Sequence, residues 1–188
     1  MTLQDKHAFI TGGGTGIGLA IAQDLAAKGA RVTITGRRQE VLDAVSGNGI
    51  TGMAMDVRDE AQVIDTIARA VEANGPVQIC VANAGVAEGR SLHKTDLDFW
   101  RDMMATNLDG AFLSIRESLK SMRQTDWGRV IAVSSMAGLR GLPGAACYSA
   151  SKHGMIGLIR SLSEDYMGQP FTFNALCPGY VDTEIIAR

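Results

Sequence analysis

Apolar residues along the chain alternate between two textures. Short, nearly continuous β-rich runs at His7–Thr11, Arg31–Thr35, Ile50–Asp56, Val77–Ala82, Arg129–Ser134 and Phe171–Cys177 predict buried strands. Between the first two runs, Ile17, Ile21 and Leu25 recur at helical spacing with Ala20 beside them, and Gly29 after Lys28 reads as a helix stop. Asp59 with Gln62, and Thr95 with Asp98, have the spacing of N-terminal capping boxes, while Gly75-Pro76 closes the helix ahead of the fourth strand. Strands alternating with helices predict an α/β domain over residues 1–188, a doubly wound parallel sheet with helices on both faces. Such sheets hold ligands at the carboxyl ends of their strands, near the point where strand order reverses, so chemistry is expected just after the strands.

Composition adds limits rather than a function. With 46% hydrophobic and 20% charged residues, the 188-residue chain has the balance of a globular domain able to bury a core, and no linker, repeat or low-complexity segment divides it. Its 18 basic and 20 acidic residues are mixed along the sequence, which gives no footprint for nucleic acid and no polybasic membrane segment. Any anionic ligand must therefore be held locally. The start, MTLQDKHAFITGGG, has no basic segment followed by a long apolar core and is expected to be neither signal peptide nor membrane anchor. Cys80, Cys147 and Cys177 are odd in number and far apart, which fits reduced thiols in a cytoplasm. Because His7, His93 and His153 share no metal-ligand spacing with them, no metal is expected.

Two local patterns carry chemistry. Thr11-Gly12-Gly13-Gly14-Thr15-Gly16-Ile17-Gly18 lies between the first strand and the first helix, where glycine permits a tight turn and brings backbone N–H groups and a helix N-terminus against a pyrophosphate. Turns collect glycine anyway, so it is the position inside a βαβ unit that points to a dinucleotide. Further on, Tyr148 and Lys152 stand four residues apart with small residues between them, which puts a phenol and an ammonium on one helix face. Taken alone the pair is most simply surface decoration. It gains meaning from what the rest of the chain brings to it.

Together, TGGGTGIG, Asn83-Ala84-Gly85, Asn107, Ser135, Tyr148-Ser149-Ala150-Ser151-Lys152 and Cys177-Pro178-Gly179-Tyr180-Val181-Asp182-Thr183 resemble the short-chain dehydrogenase/reductase (SDR) family, in its order and at its spacings, over essentially the whole chain. The resemblance implies a Rossmann fold and an NAD(P)-dependent oxidoreductase that interconverts a secondary alcohol and a ketone by hydride transfer, with 3-oxoacyl thioesters as the first substrates to consider. It implies that Tyr148 gives or takes the proton, that Lys152 binds the nicotinamide ribose and lowers the tyrosine pKa, that Ser135 holds the substrate oxygen, and that Asn107 holds a water in the proton relay. Ser134 rivals Ser135, but the family's serine usually lies thirteen positions before the tyrosine, which falls on Ser135. Asn107 also reads as a polar residue that interrupts a helix and satisfies local backbone, and the two roles are compatible. Tyrosine has a pKa of about 10, so tyrosinate near pH 7 costs about 4 kcal/mol. One cation about 4 Å away at an effective dielectric of about 20 offsets about 4 kcal/mol before desolvation is subtracted. Lys152 alone is marginal, and the pair becomes an acid/base once an oxidised nicotinamide adds a second positive charge.

For the cofactor, the resemblance implies contacts from Gly12, Gly14, Thr15, Gly16, Ile17 and Gly18 in the cradle, and from Asp56-Val57, where related proteins hydrogen-bond the adenine amino group. It adds Asn83, Ala84 and Gly85 along the ribose, Tyr148 and Lys152, and then Pro178, Gly179, Val181 and Thr183 near the carboxamide and pyrophosphate. Without a cofactor, Asp56 reads as an exposed strand-end acid and Asn83-Ala84-Gly85 as a turn. An NAD site usually has an acid at the end of the second strand. Here Thr35-Gly36-Arg37-Arg38 puts Gly36 at that position, and Arg37 can fork onto a 2′-phosphate. The alternative is that both arginines begin a solvated helix, and Thr15 stands where related proteins often carry a second basic residue. NADP(H) is favoured and NAD(H) stays open. Related proteins act on small carbonyl or alcohol substrates and assemble as homodimers or homotetramers. They normally continue past the Pro-Gly segment with a substrate-covering loop, a further helix and a last strand. The sequence stops at Arg188, before these parts, so the residues are expected to be the retained part of a longer protein, with the cofactor half of the site complete and the substrate half not. A reading from another class is a nicotinamide-dinucleotide-binding regulatory or scaffold protein without turnover. The set Asn107, Ser135, Tyr148 and Lys152 argues against it, because binding alone needs no acid/base.

Overall fold

The computed structural model describes residues 2–182. Strand β1 (His7–Thr11) is buried along its whole length. Its side chains alternate between two cores, as they must in a strand covered on both faces. Phe9 belongs to the cluster that includes Val63, Leu119 and Met155, whereas Ala8 and Ile10 belong to the one with Ala22, Ile34 and Leu42. Phe9, Ile10 and Ile34 are 0% exposed, and each side chain of this kind stabilises the fold by about 1.5–3 kcal/mol. Strand β1 pairs in parallel with β2 (Arg31–Gly36) on one side and β4 (Val77–Ala82) on the other. With β3 (Ile50–Ala54), β5 (Gly128–Val133) and β6 (Phe171–Leu176), the order is β3-β2-β1-β4-β5-β6, every neighbour parallel. Strand order reverses between β1 and β4, so their carboxyl ends open a crevice on one edge of the sheet.

All six apolar runs form strands, with small shifts at the ends that have local causes. Strand β3 stops at Ala54 rather than at the expected Asp56. The Asp56 N–H leaves the sheet for Gln62 Oε1 at 3.0 Å, which commits that residue to the turn before the next helix. Strand β2 runs one residue further than the apolar run, to Gly36, which is in register with Ala54.

Helices α1 (Gly16–Ala27) and α2 (Gln39–Asp43) cover one face, while α3 (Glu60–Asn74), α5 (Gly110–Met122) and α6 (Ala146–Asp165) cover the other. The expected stop after α1 is a reciprocal pair of bonds, Gly29 N–H to Ala26 O and Ala30 N–H to Leu25 O, with Gly29 at φ 91°. Asp59 caps α3 by accepting from Gln62 N–H at 3.1 Å. The second capping box is displaced by one residue. Asp96, not Thr95, caps α4 (Leu97–Met104), accepting from Phe99 N–H at 2.8 Å. Thr95 instead ends a short helical turn at Leu92–Lys94 and turns its hydroxyl onto Ser91 O at 3.2 Å. Helix α4 passes into α5 through a π-helical turn at Ala105–Asp109, centred on Asn107. Among the described residues no helix is long and apolar enough to cross a membrane, and no cluster of His, Cys, Asp or Glu could hold a metal ion.

Candidate active site

The cradle after β1 depends on how closely its backbone approaches its neighbours. Gly12 sits at φ 64°, and a Cβ there would stand 2.9 Å from Ala84 Cα. A Cβ on Gly18 would collide with Gly12 O and Asn83 Nδ2. The loop is held by Asn83, whose Nδ2 donates to Thr11 O at 2.9 Å and to Gly12 O at 3.0 Å. Thr11 Oγ1 accepts in return from Asn83 N–H and Ala84 N–H, both at 3.0 Å. Thr15, at the N-cap of α1, makes no side-chain capping bond, so the first N–H groups of a twelve-residue helix face the crevice. Ile17 is partly buried and packs against the core beside the cradle. The sequence pattern did not mark Thr11 as a fastening. Its signal was a hydroxyl at the strand end, opposite an asparagine at the end of the next strand in the sheet.

From the cradle a cleft of about 410 Å³ runs across the ends of β2 and β3, bounded by Gly14, Thr15, Arg37, Asp56, Arg58 and Thr106. Arg37 is exposed and makes no hydrogen bond or ion pair with the described residues, whereas Asp56 is gripped by Arg58 at 2.7 Å. The hydrogen bonds from Arg58 are the main cause that holds the Asp56 carboxyl below the usual carboxylate range, and Arg37 adds to the effect. Val57 is 6% exposed and packs where Gly110 leaves room at the start of α5. Thr35 Oγ1, at the end of β2 on the wall of the cleft, is buried without a partner. Arg58 was not foreseen, although the Asp56-Val57-Arg58 spacing allows the pairing.

The cleft meets the reactive end at Gly85. A Cβ there would stand 3.1 Å from Asn107 Oδ1 and 3.5 Å from Lys152 Nζ. Lys152 is 4% exposed and donates from Nζ to Val133 O at 2.9 Å. Burial lowers its pKa from 10.5 to about 8, partly countered by the nearby Cys177. The ammonium lies 5.7 Å from the centre of the Tyr148 ring. Tyr148 and Lys152 thus share one face of α6, but only the tyrosine is partly open to solvent. Ser135 follows β5 and accepts from Ala137 N–H at 3.1 Å, which leaves its own hydroxyl proton free to donate. Ser134 is buried and donates to Lys152 O at 3.1 Å, so the rival serine braces α6 against the sheet.

Asn107 is 0% exposed, and its side chain is fully committed. Oδ1 accepts from Val86 N–H at 2.8 Å, and Nδ2 donates to Val86 O at 2.9 Å and to Ser151 Oγ at 3.1 Å. The side chain therefore fastens the turn after β4, which carries Gly85, to the π-helical segment and to α6. Pro178 O accepts from Met136 N–H at 3.0 Å, which joins the ends of β5 and β6, and Gly179 lies beside the Met136 side chain. Val181, 37% exposed, follows in the chain. Thr183 lies outside the described residues.

These features fit a dinucleotide. Glycines let the cradle close where a side chain would collide with its neighbours, the helix N-terminus has no side-chain cap, and an orphaned hydroxyl and an arginine unpaired among the described residues line the far end. The family model described as short chain dehydrogenase matches residues 6–188. The 3-oxoacyl-acyl-carrier-protein reductase MabA of Mycobacterium avium is 36% identical, the match covering 96% of this chain and 69% of that protein. Among solved structures, an actinorhodin polyketide ketoreductase variant with NADPH superposes with a TM-score of 0.95 at 36% identity, covering 100% of this chain and 75% of the other. A short-chain dehydrogenase/reductase from Burkholderia phymatum in complex with NAD has a TM-score of 0.94 at 29% identity, covering 100% and 70%.

Proposed function

Because the chain belongs to the short-chain dehydrogenase family, we propose that it is a ketoreductase that uses NADP(H) in preference to NAD(H) and reduces 3-oxoacyl thioesters to the 3-hydroxy products. The observation that carries this reading is the placement of Lys152. A lysine 4% exposed, bonded to Val133 O and 5.7 Å from the Tyr148 ring, borders the cleft through Gly85. A lysine seldom lies this deep without a charged partner. Relatives and neighbours named as a 3-oxoacyl reductase and a polyketide ketoreductase support the substrate class.

The bound nicotinamide supplies the hydride. Ser135 offers its free hydroxyl proton to the substrate oxygen and polarises the carbonyl. Tyr148 delivers a proton to the oxygen as charge develops on it. Lys152, with one N–H spent on Val133 O, keeps two for a ribose. Asn107 acts by holding Val86 and hence Gly85 against Lys152. Arg37, unpaired among the described residues, reads the 2′-phosphate.

We read the chain as one dinucleotide-binding unit working in the cytoplasm, a reading supported by its three free cysteines. Exposed Ile64 on α3 and Phe112 on α5 support assembly into a homodimer or homotetramer. The test is to follow absorbance of NADPH with acetoacetyl-CoA and with small ketones. Thioester-dependent oxidation is expected, and its absence with every carbonyl, despite NADPH binding, would favour a binding protein without turnover.

A further inference from the structure

Asp56 and Arg58 enter the wall of the cleft as a locked pair. Arg58 donates to Asp56 Oδ1 from its backbone N–H and from Nε, each at 3.0 Å. It donates to Oδ2 from Nε at 3.1 Å and from Nη2 at 2.7 Å. Three N–H groups of Arg58 thus engage the carboxylate, with Nε–H shared between its two oxygens, and take up most of its roughly four lone-pair sites. The Asp56 carboxylate stabilises the guanidinium charge, and Asp102 on α4 adds to the effect. Arg37, on the same cleft and exposed, makes no ion pair with any of the described residues. The two arginines therefore present different chemistry. Arg37 offers a free charge, suited to a phosphate dianion. Arg58 offers a flat group whose charge is partnered by a carboxylate and whose Nε–Nη2 edge is occupied, which holds its plane in the wall of the cleft, and a weakly hydrated guanidinium face suits an aromatic ring.

We propose that the Arg58 guanidinium is the platform on which the adenine ring of the cofactor stacks, and that Asp56 acts by orienting Arg58 rather than by accepting from the base. The inference rests on the dinucleotide reading above and deepens it. Asp56 becomes a positioning residue, and Arg58 contributes equally to NADPH and NADH, whereas Arg37 separates them.

The test is binding, measured by titrating NADPH and NADH into wild type, Arg58→Ala, Arg58→Lys, Asp56→Asn and the double variant Asp56→Asn/Arg58→Ala, with cofactor-free melting temperatures to establish that each folds. Arg58→Ala is expected to weaken NADH by about fivefold to tenfold, the scale of a cation–π contact. Arg58→Lys should weaken it similarly, because the charge is kept and the plane is lost. Asp56→Asn should weaken NADH in the presence of Arg58 and have no further effect in its absence. Wild-type affinity in Arg58→Lys would assign the effect to charge and overturn the proposal. So would a loss for NADPH alone in Arg58→Ala, or an Asp56→Asn effect that persists without Arg58. If wild type binds neither cofactor, the dinucleotide reading falls and this inference with it, whereas failure of the inference alone leaves wild-type binding intact.

Discussion

Asn107 pairs with both backbone groups of Val86, accepting from its N–H at 2.8 Å and donating to its carbonyl at 2.9 Å. A side-chain amide here mimics one rung of a β-ladder, and it does so from a π-helical turn whose register brings residue 107 inward. Replacing it with alanine leaves two backbone groups and Ser151 to find new partners. Asn107→Ala should lower stability by about 1–3 kcal/mol and reduce turnover, because Gly85 beside Lys152 loses its anchor. Urea unfolding and steady-state kinetics check both effects, and an unchanged unfolding midpoint would contradict the structural part.

Tyr148→Phe removes the proton-bearing oxygen and nothing that the structure uses to hold the cleft. Turnover should fall at least about a hundredfold, the lower end of general acid–base contributions, while NADPH binding persists. Near-normal turnover would assign the proton to another group.

Arg37 stands unpaired at the mouth of the cleft, with the Asp56 carboxylate near enough to feel its charge. Arg37→Ala should weaken NADPH by about 1.5–3 kcal/mol, the scale of hydrogen bonds to charged groups, and leave NADH nearly unchanged. Titration of both cofactors is the measurement, and equal losses would separate Arg37 from the 2′-phosphate.

Lys152 gives a pH signature in the cofactor-free protein. Its pKa is depressed on folding, from 10.5 to about 8. The unfolded chain therefore binds the extra proton between these values, and stability should rise as pH increases through that window. Below about 8 the burial cost is fully present. The shift corresponds to about 3 kcal/mol, and removing the amine leaves Val133 O unpaired at a cost of about 1–2 kcal/mol. Lys152→Met should thus stabilise the cofactor-free protein by about 1–2 kcal/mol at pH 7 and lose that advantage by about pH 10.5, while abolishing turnover. Paired urea unfolding of both proteins at the two pH values is decisive, and a variant less stable at pH 7 would reject the account.

The strands and the cradle were legible because their signals are local. A five-residue apolar run such as His7–Thr11 has few ways to be buried on both faces other than as an inner parallel strand. Glycines at 12 and 18 announce a backbone that approaches its neighbours too closely for a side chain. The displaced cap at Asp96 shows the limit even at short range. Two candidate oxygens stood side by side, and the short turn before them took up Thr95.

The alternation of strand and helix and the helix face shared by Tyr148 and Lys152 follow from the fixed periods of strand and helix, and the phosphate-binding turn from glycines placed between them. Tertiary packing settled that Lys152 is buried against Val133 O, that Asn107 spends its amide on Val86, and that Ser134 braces α6 while Ser135 keeps its proton free. It also decided that Asp56 is taken by Arg58, a choice that the two-residue spacing permitted without requiring. The physical reason is that desolvation and hydrogen-bond pairing depend on which segments meet across the sheet, and partners 19 or 21 residues apart, as for Lys152 and Asn107, leave no period in the sequence.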